Sequence, residues 1–263
     1  MIRAAALLFL VLGLTLASCA VGCACSQPVY PVTTFGAASL KMALEQMKTT
    51  YEQGRTDIQI TLSTGSSAAL RTQIEQGAPA DLFLSADMAN PQALLDAGLT
   101  DGSVVPFATN HLIIVVPDGN PAGITSAIDL ARPGVRVIAA SEDVPITKYA
   151  EQAVGTLAAL AGYPTDFAAA YESNVASREE NVGAVVSKIK LGEGDAAIVY
   201  VTDARSAQLD TVDIPAEADV VATYGGVVLR RAASVPTAHD LLDWIKGPAG
   251  QAIPVNLGFS PAP

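Results

Sequence analysis

Beyond Cys25 the chain contains no cysteine; its three thiols, Cys19, Cys23 and Cys25, all sit near the N-terminus. The rest of the sequence therefore has no disulfide framework, no thiolate zinc site and no cysteine nucleophile. Charge is scarce too, at 16% of residues, and it leans acidic: 15 Lys and Arg face 26 Asp and Glu, for a net −11. The basic residues are scattered singly, with Arg230-Arg231 the only adjacent pair. An acidic chain without a basic patch excludes nucleic acid and an anionic membrane surface as partners. Histidine is limited to His111, in a core-like strand pattern, and His239, in a terminal helix pattern. No GxSxG elbow, phosphate-binding GxxxxGK[ST] loop, GxGxxG or HExxH occurs. Asp81 and Asp87 flank one strand, a placement that suits caps or ion pairs.

What the chain has in quantity is aliphatic side chain. Half of its 263 residues are hydrophobic and 5% are aromatic. That supplies one large core or two of ordinary size. Low charge with abundant Ala, Val and Leu predicts α/β layers, in which strands are buried on both faces. The first residues read as a targeting segment. Met1-Ile2-Arg3 supplies a positive start, and Ala4 to Ala17 is an apolar run of about 14 residues. A transmembrane helix needs roughly 20. Leu16-Ala17-Ser18-Cys19 has the form of a bacterial lipobox, which predicts a signal peptide over 1–18 and a lipid on the Cys19 thiol. The alternative is a plain secretory signal cut near Ala20 or Ala24. Residues 19–31 read as a tether.

From there the pattern is strand, small-residue turn, helix, repeated. Val32 to Phe35 is followed by Gly36-Ala37-Ala38-Ser39 and a stripe of Leu40, Leu44 and Met47. Ile58, Ile60 and Leu62 alternate before Gly65-Ser66-Ser67, which opens a helix bearing Leu70 and Ile74. Asp81-Leu82-Phe83-Leu84 reads as a buried strand, with a helix over Pro91–Ala97 after it. Val104 to Phe107 and HLIIVV (111–116) read as strands, the latter central to a sheet. Val135 to Ala139 leads through Ser141–Ile146 into a helix bearing Ala150, Val154 and Leu157. Val182, Val185, Val186 and Ile189 form one helical face, and Ala196 to Tyr200 a buried strand. Val220–Thr223 and Val227–Leu229 return as strands, and a helix around Leu241, Leu242 and Ile245 closes the chain. This is a doubly wound pattern.

In open α/β sheets ligands lie at the carboxyl ends of strands, where helix N-termini point. Four helix starts (Ser39, Ser67, Ile146 and Val182) and the strand end Tyr200 are candidates to converge there. Free N–H groups and hydroxyls at such ends suit an anion. A lone Ser66-Ser67 pair would read as an ordinary N-cap; recurrence at four places favours a site.

Phe35-Gly36-Ala37-Ala38-Ser39-Leu40, GSSAALRTQIEQGAPADLFLSAD (65–87), Glu142-Asp143-Val144-Pro145, AAIVYVTDA (196–204) and Trp244-Ile245-Lys246-Gly247-Pro248 together resemble the periplasmic molybdate-binding proteins of ABC transporters. The resemblance implies a class II periplasmic binding fold: two doubly wound α/β lobes joined by two crossing strands. It places lobe 1 at 32–108 with 223–263 and lobe 2 at 109–222, with crossings near Phe107–Asn110 and Ala216–Ala222. It implies capture of molybdate or tungstate, without catalysis, cofactor or direct metal ligands. The oxyanion contacts carried over are Ser39, Ser67, the backbone N–H groups of Ile146 and Val182, and the Tyr200 hydroxyl. Expected partners are an ABC permease with its ATPase subunit, and the membrane through the anchor; the chain itself is expected to be a monomer. Ile146 stands where the family has a small residue, and Asn181 where it has Asp. Two other readings are a hydrolytic enzyme with Ser67 as nucleophile, which needs His111 within reach of it, and a binding protein for another oxyanion such as sulfate.

Overall fold

The computed structural model describes residues 29–262. The expected signal peptide (1–18), the lipid anchor Cys19, the other two thiols and most of the tether lie outside the described residues. Strand β1 (Tyr30–Ala37) begins inside the expected tether, because Tyr30 and Pro31 already pair with Ile58 and Gln59. A single 3-10 turn, Ala38–Leu40, leads into α1 (Lys41–Gln53), which buries Ala43, Leu44, Met47 and Tyr51. Then follow β2 (Ile58–Gly65), α2 (Ser67–Glu75), β3 (Leu82–Ser85) and α3 (Ala89–Asp96). Pro91 is the third residue of α3 rather than its first, and it is tolerated there because N–H groups of a first turn have no intrahelical acceptor.

One long strand, β4 (Thr100–Asn110), absorbs the expected Val104–Phe107 segment and hands over to β5 (Leu112–Val116). Beyond it lie β6 (Val137–Ala140), α4 (Pro145–Ala159), α5 (Phe167–Ser173), β7 (Val175–Glu179), α6 (Val182–Lys190) and β8 (Ala197–Tyr200). The chain continues through α7 (Val201–Ala207), β9 (Asp210–Val212) and β10 (Ala222–Leu229). It ends with α8 (Val235–Lys246), α9 (Pro248–Asn256) and β11 (Ser260–Pro261).

Two sheets organise these elements. The first has the order β11-β4-β10-β3-β1-β2; β2, β1 and β3 run parallel, and β10 joins β3 antiparallel. In the second, β5 lies between β8 and β9, as its apolar run predicts. The parallel pair β6-β7 adjoins it through a bridge from Val137 to Ala196. The chain leaves the first sheet at Asn110, which pairs with Ala222, and returns at Ala222 itself. These two adjacent strand ends are where the backbone passes between sheets.

The two expected strands Val220–Thr223 and Val227–Leu229 are one strand, β10, running through Gly225-Gly226. Glycine there marks close packing rather than a break. A Cβ on Gly226 would lie 2.9 Å from the Leu84 side chain and 3.0 Å from that of Leu242. A Cβ on Gly225 would lie 2.8 Å from the Met88 sulfur and 3.1 Å from the Asp87 carbonyl. The β-carbons are missing so that α3 and α8 can lie tight on the sheet. Asp81 and Asp87 serve the backbone, as caps would. Asp81 accepts the N–H of Thr33 at 2.6 Å and that of Ala233. Asp87 accepts the Asn90 N–H at 2.9 Å at the start of α3. Among the described residues no helix is long and apolar enough to cross a membrane.

Candidate functional site

Four turns of backbone end at one small cleft. It is lined by Ala37, Ala38, Ser39, Gly65, Ser66, Ser67, Ala86, Val144, Pro145, Ile146, Asn181, Val182 and Tyr200. All five sequence-predicted contacts are on that surface. Ser67 is the first residue of α2, and Val182 is the first of α6. Ile146 is the second of α4, after Pro145. N–H groups at these positions have no acceptor in their own helix, so they remain available to the cleft. Ser39 differs from expectation: it lies inside the 3-10 turn Ala38–Leu40, not at an α-helix start. The four small residues 36–39 allow that tight turn, and its early N–H groups are free for the same reason.

Each cap explains part of the geometry. Pro145 presets the first helical φ of α4, and its absent N–H would have been unpaired in any case. Asn181 caps α6, its Oδ1 accepting the Ala184 N–H at 3.0 Å. An amide oxygen does this as a carboxylate would, without placing a negative charge beside Val182. Ser66 occupies the N-cap of α2 with extended backbone, yet its hydroxyl makes no capping bond. That hydroxyl is buried without a partner among the described residues, and so is the Tyr200 hydroxyl. A buried polar atom left unpaired costs about 1–3 kcal/mol. Two of them at one cleft suit a polar ligand there.

Among the described residues no Lys, Arg or His lines the cleft. The attraction it can offer an anion comes from N–H and O–H dipoles and from the positive ends of α2, α4 and α6. Tyr200 is 1% exposed, and burial pushes its phenol well above the ordinary 10. It is therefore a proton donor throughout the neutral range. Its ring packs 5.8 Å from that of Tyr224 and 6.3 Å from that of Tyr149.

The Ser67 hydroxyl accepts the Ala86 N–H at 3.0 Å, and neither imidazole reaches it. His111 Nδ1 is 2.8 Å from Asp219 Oδ2, in a half-exposed pair between β4 and β5 rather than inside a core strand. His239 Nε2 is 2.8 Å from Asp101 Oδ1. A Ser67 nucleophile thus has no base among the described residues. Sequence reasoning missed Tyr224, whose hydroxyl is 2.9 Å from Ser39 Oγ. The pair is 185 residues apart, and no local pattern connects them.

Comparison with known proteins follows the same lines. The family of bacterial extracellular solute-binding proteins matches residues 32–260. The molybdate-binding protein ModA of Mycobacterium tuberculosis is 33% identical over 240 residues, spanning 89% of this chain and 86% of its own. ModA of Escherichia coli is 28% identical over 243 residues, spanning 87% and 88%. The periplasmic molybdate-binding protein of Azotobacter vinelandii matches with a TM-score of 0.72 at 22% identity, over 88% of this chain and 99% of its own. The sulfate-binding protein SubI of M. tuberculosis matches at 0.75 and 21%, over 89% and 87%. At these identities the structures speak to fold alone, which is that of the class II periplasmic binding proteins.

One titratable group behind the cleft has a measurable consequence. Asp203 lies in the first turn of α7, just beyond Tyr200, and its Oδ2 has no hydrogen-bond partner among the described residues. Burial raises its carboxyl from 3.8 to about 7. Between those values the folded chain keeps a proton that the unfolded chain has released, so stability falls as pH rises through this window and levels off above it. Asp203→Asn removes that dependence. Its stability relative to the parent should be greater at about pH 8 than at about pH 5 in thermal denaturation. An equal difference at both would show that Asp203 ionises normally.

Proposed function

The chain belongs to the bacterial extracellular solute-binding proteins, and on that premise we propose that it captures a tetrahedral oxyanion, molybdate or tungstate, and delivers it to an ABC permease with its ATPase subunit. It works as a monomer, without a cofactor; the metal of the oxyanion is cargo. The observation that carries this reading is that Ser39, Ser67, Ile146 and Val182, each at or beside a helix start, line one uncharged cleft together with Tyr200, whose hydroxyl has no partner among the described residues. The names and identities of the ModA relatives support the choice of ligand.

The energetics are adequate without a cation. A hydrogen bond to a charged group contributes about 1.5–3 kcal/mol net. Five of them supply about 7.5–15 kcal/mol, against the roughly 8 kcal/mol of micromolar binding, and the upper part of that range covers the desolvation of a dianion. We assign residues 32–108 with 223–263 to one lobe and 109–222 to the other, closing over the ligand about the crossings near 107–110 and 216–222. The division is supported by sheet membership: β1–β4, β10 and β11 share one sheet, whereas β5, β8 and β9, with β6-β7 beside them, make up the other. Ser39 and Ser67 belong to the first lobe, and Ile146, Val182 and Tyr200 to the second. The lipobox-like Leu16–Cys19 supports a lipid anchor on Cys19 holding the protein at the outer face of the membrane.

Isothermal titration with molybdate, tungstate, sulfate and phosphate tests the ligand. Ser67→Ala should weaken molybdate binding some ten- to hundredfold, since a buried charged oxygen loses its hydroxyl partner. Tyr200→Phe should do likewise. Ile146→Ala should keep binding, because the donor there is main-chain. Undiminished molybdate affinity in Ser67→Ala would contradict the assignment. The anchor is tested separately: processed Cys19→Ala protein should leave the membrane fraction, and its retention there would refute lipidation.

A further inference from the structure

The Ser39 hydroxyl is already engaged on one side, and the atoms behind it fix which way its proton points. Ser39 Oγ lies 2.9 Å from the hydroxyl of Tyr224, a fully buried residue of β10. Either oxygen could donate if the pair were isolated. The next residue decides. The backbone N–H of His111 donates to Asn110 Oδ1 at 3.0 Å, so the other end of that amide is the nitrogen. Asn110 Nδ2 donates to Thr202 Oγ1 at 2.8 Å and faces the Tyr224 hydroxyl at 3.5 Å. An amide nitrogen can only donate. If Ser39 donated to Tyr224, the phenol proton would be left buried against an N–H, at the cost of an unpaired donor. The consistent arrangement has Tyr224 donating to Ser39 Oγ. Burial and the Asp203 carboxyl hold the Tyr224 phenol well above 10, so its proton is present at neutral pH.

Ser39 then receives a proton from behind and sends its own forward. Ser67 is set the same way by a different donor, its Oγ accepting the Ala86 N–H. Both serines face the cleft as donors, with an acceptor position already filled by the protein. We propose that Tyr224 is a positioning residue: by donating to Ser39 it fixes that hydroxyl as a donor to the bound oxyanion and makes the cleft reject an oxyanion that carries a proton. The inference rests on the oxyanion reading and adds to it the device that selects a bare dianion. Monohydrogen phosphate has one O–H that needs an acceptor, and Ser39 could present a lone pair to it only by turning its own proton back toward Tyr224, where the phenol proton already stands. The same chain of bonds runs from Ser39, in the turn after β1, to Thr202 on α7, through the strand end where the backbone changes sheets.

The test compares molybdate with inorganic phosphate at about pH 8, where phosphate is mostly monohydrogen, by isothermal titration of the mature chain. Tyr224→Phe should lose about tenfold in molybdate affinity and narrow the molybdate-to-phosphate ratio by about tenfold, because the freed Ser39 oxygen can accept. Asn110→Asp keeps the phenol but presents it with an acceptor, drawing its proton from Ser39; it should narrow the ratio in the same direction. This second variant carries the test if Tyr224→Phe does not fold. Tyr200→Phe, which removes a donor and supplies no acceptor, should weaken molybdate without narrowing the ratio. A ratio equal to the parent's in whichever of the first two variants folds overturns the proposal, even if molybdate affinity falls. Failure of the parent to bind molybdate or any oxyanion overturns the oxyanion reading and this proposal with it, and that outcome is told apart by the parent alone.

Discussion

Backbone N–H groups at the start of a helix have no acceptor within it, and this constraint governs the whole molecule. Water ordinarily satisfies them. Here Ser39, Ser67, Ile146 and Val182 line one cleft whose walls are otherwise Ala, Gly, Pro, Val and the capping Asn181, with the hydroxyls of Ser66 and Tyr200 unpartnered among the described residues. A cleft so lined is complementary to something small, multiply hydrogen-bond accepting and negative. The sheets and helices are the apparatus that brings these four turns together from distant parts of the chain.

That apparatus also leaves a protein of net −11 with a cleft free of carboxylates. The acidic side chains are kept to other duties: Asp81 and Asp87 bind backbone N–H groups, and Asn181 rather than a carboxylate caps α6 beside Val182. Arg178, the cation on β7, is engaged by Glu172 at 2.5 Å and by the Ala140 carbonyl. The cleft is left to neutral dipoles, which bind charge without demanding a counter-charge in return.

Much of this was legible in the sequence because it is local. A strand, a small-residue turn and a helix are visible in a dozen residues, and Pro145 or Ser67 marks a helix start wherever the chain goes afterwards. The stripe of Val182, Val185 and Ile189 and the central position of Leu112–Val116 follow from periodicity and apolar run length. Other features are set by tertiary neighbours. Gly225-Gly226 reads as an interruption of β10 until Leu84, Leu242 and Met88 are seen against it. The half-buried strand β7 and the short helices α5 and α7 carry weak local signals and form because their neighbours cover them. Tyr224 is the clearest case. Its hydroxyl meets Ser39 and Asn110, 185 and 114 residues away, which come to it only in the folded chain.

The central claim is that Ser39, Ser67, Ile146, Val182 and Tyr200 surround one tetrahedral oxyanion. Crystals grown with tungstate would test it most directly, through the anomalous scattering of tungsten. The account predicts a single strong peak in the cleft between the starts of α2, α4 and α6, with oxygens within hydrogen-bonding distance of those four N–H groups and the Tyr200 hydroxyl. A tungstate bound elsewhere on the chain, with this cleft holding only water, would contradict it.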